Sequence, residues 1–139
     1  MKKGLAGLVT VIALFFASPA HSATIAVTSM VDANSGGATC TLRDAIKSMN
    51  NGANFAGCVS SGAAYGTSNS ISVPGGTYTI SKAGANELAN ATGSLDVLAN
   101  VAIAGAGYGA TIIDGGGAGI GDRVMFIGSG VTASVVSLQ

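Results

Sequence analysis

Asp96, Asp114 and Asp122, with Arg123 beside the last, are the side chains in this sequence whose types could cleave a polysaccharide. Such chemistry needs two carboxyl groups fixed about 5 to 9.5 Å apart, one as acid and one as base or nucleophile. No Asp-Asp or Asp-x-x-Asp pair sets up that geometry, and the sole histidine, His21, lies near the amino terminus. No catalytic residue is therefore assigned, and a polysaccharide lyase or hydrolase stands as the alternative function. Gly105-Ala106-Gly107-Tyr108-Gly109-Ala110 imitates a dinucleotide-binding glycine loop. It leads into the strand-like Thr111-Ile112-Ile113-Asp114, not a helix whose amino terminus could hold a pyrophosphate, so no nucleotide cofactor is expected. Gly116-Gly117-Ala118-Gly119-Ile120-Gly121-Asp122 approaches a calcium-binding nonapeptide, but Gly121 occupies the aspartate position and there is one copy. No metal is expected there, and Asp114 and Asp122 are read as satisfying turn amides. Tyr78 and Tyr108 could stack on sugar rings or pack into the fold. The sequon Asn90-Ala91-Thr92 is read as chance.

The elements that would position these groups begin after a leader. Met1-Lys2-Lys3, an apolar stretch from Leu5 to Ala17 and the small residues of Ser18-Pro19-Ala20-His21-Ser22-Ala23 read as a cleavable secretory signal over residues 1–22, with Ala20 or Ala23 as other last residues removed. The apolar stretch is short for a bilayer span, which needs about 17 to 25 residues. No membrane insertion of the mature segment is expected. Without Lys2 and Lys3, four basic residues (Arg43, Lys47, Lys82, Arg123) face six acidic ones, a net charge of −2. That balance excludes nucleic acid as a partner, since no basic patch remains to neutralise phosphates. Cys40 and Cys58 are the two cysteines of an exported chain, so a disulfide is the default. The rival, a two-cysteine metal site, has no mature histidine to complete it.

Along the chain, Thr24 to Val31 alternates apolar and small polar residues, as a half-buried strand does. Leu42, Ala45, Ile46 and Met49 then recur at helical spacing, with Thr41 and Asp44 as a capping pair and Asn50-Asn51-Gly52 as the stop. This predicts a helix over 41–51. Gly52 to Asn69 reads as a polar, glycine-rich loop pinned by the disulfide. Short strands are predicted at 71–73, 77–80, 95–98, 101–104, 111–113, 124–127 and 131–138, separated by glycine turns. Strands this short bury a core by stacking in successive turns. The expected fold is all-β: a right-handed parallel β-helix, a solenoid with one amino-terminal capping α-helix. A β-sandwich is the other all-β arrangement that suits such strands. The organisation expected is signal peptide 1–22, an amino-terminal cap of strand, helix and disulfide loop over 23–70, and the first solenoid turns over 71–139.

Cys40-Thr41-Leu42-Arg43-Asp44-Ala45-Ile46 closely resembles the hallmark of a bacterial surface and secreted family named for its Cys-Ser-Leu-Arg-Glu-Ala (CSLREA) motif. Thr for Ser and Asp for Glu keep a hydroxyl followed three residues later by a carboxylate. Thr24-Ile25-Ala26-Val27-Thr28, Ile71-Ser72-Val73-Pro74-Gly75-Gly76-Thr77-Tyr78-Thr79-Ile80 and the run from Val101 to Gly115 also look like that family. The resemblance implies a β-helix protein, often long and akin to polymorphic outer-membrane proteins, with further turns expected beyond Gln139. The function expected is a structural or adhesive module of an exported protein, secreted or held at the cell surface. It has no cofactor and no catalysis in this segment. Its expected partners are an extracellular polysaccharide or a cell surface, met on lateral faces and not in a pocket. Arg43 and Asp44 are expected to be surface and capping residues of the helix.

Overall fold

A computed structural model describes residues 22–34 and 36–139. The predicted signal peptide lies outside the described residues except for Ser22. The first strand, β1 (Ala23–Ala26), buries Ala23 and Ile25 and turns Thr24 and Ala26 outward, as its alternation requires. The helix α1 (Leu42–Asn51) starts at Thr41, whose Oγ1 accepts the Asp44 amide at 3.1 Å. It stops at Gly52, where φ is 61°, a left-handed geometry that glycine adopts without strain; the Gly52 amide closes onto the Met49 carbonyl. Both ends fall where the capping residues place them. The remaining strands are β2 (Ser61–Gly62), β3 (Asn69–Val73), β4 (Gly76–Thr79), β5 (Leu95–Val97), β6 (Val101–Gly105), β7 (Thr111–Asp114), β8 (Met125–Ile127) and β9 (Ala133–Val136). A 3-10 turn covers Gly117–Gly119.

Three sheets result. The largest has the order β2-β1-β3-β6-β9, in which β2 runs antiparallel to β1 and the other pairings are parallel. Its register aligns Ile25, Ile71, Ile103 and Val135 in one rank. The three isoleucines are fully buried, and each such side chain stabilises the fold by about 1.5 to 3 kcal/mol. Two-stranded parallel sheets form from β4 with β7 and from β5 with β8. Leu42, Ala45, Ile46 and Met49 of α1 join Ile25, Ile71, Tyr78, Leu95, Val97 and Ile103 in a continuous apolar cluster. Glycine is required where backbones approach closely: a Cβ at Gly57 would lie 2.2 Å from the Ala38 carbonyl oxygen.

These observations correct the expected all-β solenoid. The described residues form a mixed α/β arrangement of small sheets, and no β-helix is found among them. Two physical reasons stand out. The segment read as a plain glycine loop contributes β2, which makes the largest sheet mixed, not purely parallel. The helix is also a core element: its apolar stripe packs onto β5 and β3 and is buried from Leu42 to Met49, Lys47 alone being half-buried.

Candidate functional site

The densest polar constellation lies where α1 meets the connection into β5. Arg43 is the second residue of α1, and its side chain is entirely buried. Its guanidinium grips Asp32 with two bonds, Nε to Oδ1 at 2.6 Å and Nη2 to Oδ2 at 3.1 Å. It also donates to the carbonyls of Gly93 at 2.8 Å and Ser94 at 3.0 Å. Asn90, likewise buried, donates Nδ2 to the Arg43 carbonyl and accepts the Asp96 amide on Oδ1. The reading of Arg43 as a surface residue is therefore wrong. A long cation at helical spacing looks solvated in a sequence, and the anions and carbonyls that neutralise it lie 11 to 51 positions away. Asp44 does cap the helix region, but it is buried too, accepting the Thr41 hydroxyl at 2.9 Å.

The electrostatics follow from these contacts. Burial by itself raises the Asp32 carboxyl, yet the Arg43 hydrogen bond and the amides of Ser81 and Lys82 outweigh it and hold the group below its ordinary value. For Asp44, burial outweighs the Thr41 bonds and the pKa is raised. Glu87 is lowered: the amides of Thr92, Ala91 and Ala89 that it accepts overcome its burial.

Of the aspartates considered for catalysis, the fold brings Asp96 and Asp122 together and leaves Asp114 apart. Ser94 Oγ stands 2.8 Å from Asp96 Oδ1 and 3.0 Å from Asp122 Oδ2. Asp96 is only 1% exposed, so a substrate cannot reach it in this conformation. Asp114 and Asp122 accept turn amides, from Gly116 and Arg123 respectively, as expected. Asp114 pairs in register with Thr79 on the β4–β7 sheet. The turn after β6 leads into β7, in keeping with a strand after the glycine loop. Tyr78 packs in the core and donates its hydroxyl to the Pro74 carbonyl at 3.0 Å, while Tyr108 is exposed. Asn90 of the sequon has no exposed surface.

An open groove of about 430 Å³ runs across the large sheet. Its walls are the polar side chains of Thr67, Ser68, Asn69, Asn100, Thr132 and Ser134 around Val101 and Ala102. The register explains the arrangement: Ala102 and Ser134 are partners on β6 and β9, and Asn69 and Val101 are partners on β3 and β6. Each of these polar residues thus has an apolar partner on the neighbouring strand, about 4.7 to 4.9 Å away. Asn69 is fixed by the amides of Ala23 and Gly66 and the carbonyl of Gly66. Asn100 accepts the Thr132 amide at 2.8 Å. No charged or aromatic side chain lines this groove. The residue types were visible in the sequence, but nothing in their spacing marked them as one surface.

Cys40 and Cys58 form the predicted disulfide, with Cα atoms 4.5 Å apart and both side chains buried. Among the described residues no three His, Cys, Asp or Glu side chains are grouped to hold a metal ion. No helix among them is long and apolar enough to cross a membrane. Fold and site together define a disulfide-stapled mixed α/β protein with a buried arginine cluster and a neutral lateral groove. No family model, curated protein or solved structure matches the chain.

Proposed function

We propose that this chain is a structural or adhesive module of an exported protein, secreted or held at the cell surface, that performs no catalysis itself. The observation that carries the reading is the contrast between its polar surfaces. Asp96 and Asp122 are committed to a shared internal hydrogen-bond contact, whereas the lateral groove offers hydroxyls and the Asn100 amide to solvent. Neutral donors and acceptors around the apolar Val101 and Ala102 suit a polyhydroxylated partner, an extracellular polysaccharide or a glycan-coated cell surface, bound through many weak contacts. The Cys40–Cys58 disulfide is compatible with an extracellular location. The likeness of Cys40 to Ile46 to the CSLREA motif supports the same placement.

A second reading, a polysaccharide lyase or hydrolase, is favoured by the approach of Asp96 to Asp122 on one serine hydroxyl. The test separates the two. The oxidised protein is incubated with insoluble polysaccharides, and both its retention and the release of reducing or unsaturated sugar ends are followed. Retention without release supports the adhesive reading. Release that disappears in Asp122→Asn would replace it with the enzyme.

A further inference from the structure

The contact between β5 and the approach to β8 is short of one hydrogen. Ser94 Oγ meets Asp96 Oδ1 and Asp122 Oδ2, but a serine hydroxyl carries a single proton. Two ionised carboxylates supply none, so with both charged one of these contacts would set oxygen lone pairs against each other. Asp96 is the member placed to take the missing proton. It is 1% exposed, and its Oδ2 is buried without a partner. Asp122 is committed as an acceptor: Oδ1 receives the Arg123 amide at 2.8 Å and guanidinium at 3.3 Å, and Oδ2 also receives the Ser94 amide at 3.3 Å.

We infer that Asp96 is a neutral acid in the folded protein, donating to Ser94 Oγ while that hydroxyl donates to Asp122, so that one proton closes a latch between β5 and the approach to β8. The charged groups around it divide two against one. Glu87, on the connection before β5, and Asp122 both disfavour an ionised Asp96. Arg43 from α1 opposes them, but its guanidinium is already bound to Asp32 and to the carbonyls of Gly93 and Ser94. Arg123 turns to Asp122 and to the Phe126 ring, and Phe126, the register partner of Asp96, is uncharged. Burial, the largest influence, outweighs the lowering by the Ser94 hydrogen bond and by Arg43 and pushes the Asp96 carboxyl above its ordinary value.

The direction of the switch follows. A group whose pKa is higher in the folded state contributes stability that is complete below its unfolded value and is lost as pH rises through its folded value. Acid therefore closes the latch. Higher pH sets Asp96 against Asp122 and frees the segment that precedes β8.

The experiment measures the melting temperature of the oxidised full chain against pH for wild type, Asp96→Asn and Ser94→Ala. An asparagine amide donates to Ser94 Oγ at every pH. Asp32 and Asp44 titrate in all three proteins and cancel in the differences. The expected result is a melting temperature that falls by several degrees more in wild type than in D96N as pH rises above the ordinary carboxylate range, with S94A lowered throughout. Equal pH dependence in wild type and D96N overturns the latch. If D96N does not fold, the carbon-13 carboxyl titration of Asp96 in wild type decides, and an ordinary value overturns the inference. A wild-type melting temperature raised by calcium chloride and restored by a chelator assigns the missing positive charge to a cation, which also overturns it.

Discussion

Replacing Arg43 with alanine tests whether a buried charge cluster, and not the apolar core alone, holds α1 against β5. The substitution removes both bonds to Asp32, whose side chain is only 3% exposed, and leaves the carbonyls of Gly93 and Ser94 without their donors. Removing one partner of a buried ion pair costs about 3 to 5 kcal/mol, because the other charge remains behind. Here the amides of Ser81 and Lys82 still bind Asp32 at 2.8 and 3.0 Å, which places the loss near the lower end, about 3 kcal/mol. For a chain of this size that corresponds to a fall in melting temperature of roughly 10 °C. Urea unfolding followed by circular dichroism measures it directly. The double variant Arg43→Ala, Asp32→Ala should recover part of the loss, since it removes the orphaned carboxylate. A single variant less than about 1 kcal/mol below wild type would refute the cluster's structural role.

Cys40→Ser, or reduction of the wild type, should lower stability by about 3 kcal/mol, the value expected for a closed loop near this length; equal unfolding midpoints with and without reductant would exclude that contribution. Ile46→Asp places a carboxylate at a position with no exposed surface and should yield aggregated protein on gel filtration, whereas a soluble variant of unchanged melting temperature would remove Ile46 from the core. The depressed pKa of Asp32 has the opposite sign to that of Asp96. Its stability is present above the unfolded value, about 3.9, and is lost as pH falls through the folded value, so the melting temperature of Asp32→Asn, lower at neutral pH, should fall less on acidification than that of wild type, and equal acid dependence of the two would refute the pairing.

Local signals were legible because their causes are local. Thr41 and Gly52 mark the helix ends through side-chain capping and a left-handed turn, and both act within four residues. The strands at Thr111–Asp114 and Val101–Gly105 follow from Val and Ile between glycines. The disulfide followed from an even cysteine count in a chain read as exported. What failed depended on distant pairing. The strand β2 is two residues long and exists because Ser61 and Gly62 lie opposite Thr24 and Ala23. The burial of Arg43 depends on Asp32, Gly93 and Ser94, none of which signals its partner in the sequence. Asp96 and Asp122 meet across β6, β7 and the 3-10 turn that lie between them in sequence, so a search for carboxylates at short spacing could not find the pair.

The stretch from Cys40 to Ile46, which in the sequence resembles a family signature, acts here as a packing device. Cys40 is bridged to Cys58, Thr41 caps α1, Leu42, Ala45 and Ile46 enter the core, and Arg43 gathers the carbonyls ahead of β5. Every one of these residues is buried, so the stretch offers no side chain to a ligand. Recognition must then be sought on surfaces that the core does not use. The lateral groove qualifies because Ser68, Thr132 and Ser134 point their side chains away from the apolar cluster. Substitutions at such exposed positions usually change stability by less than about 0.5 kcal/mol, so the groove can alter its chemistry while the Arg43 cluster and the disulfide keep the fold. That separation of a fixed interior from a polar face free of core contacts fits the adhesive module proposed above, and an active site built from the buried Asp96 would lack it.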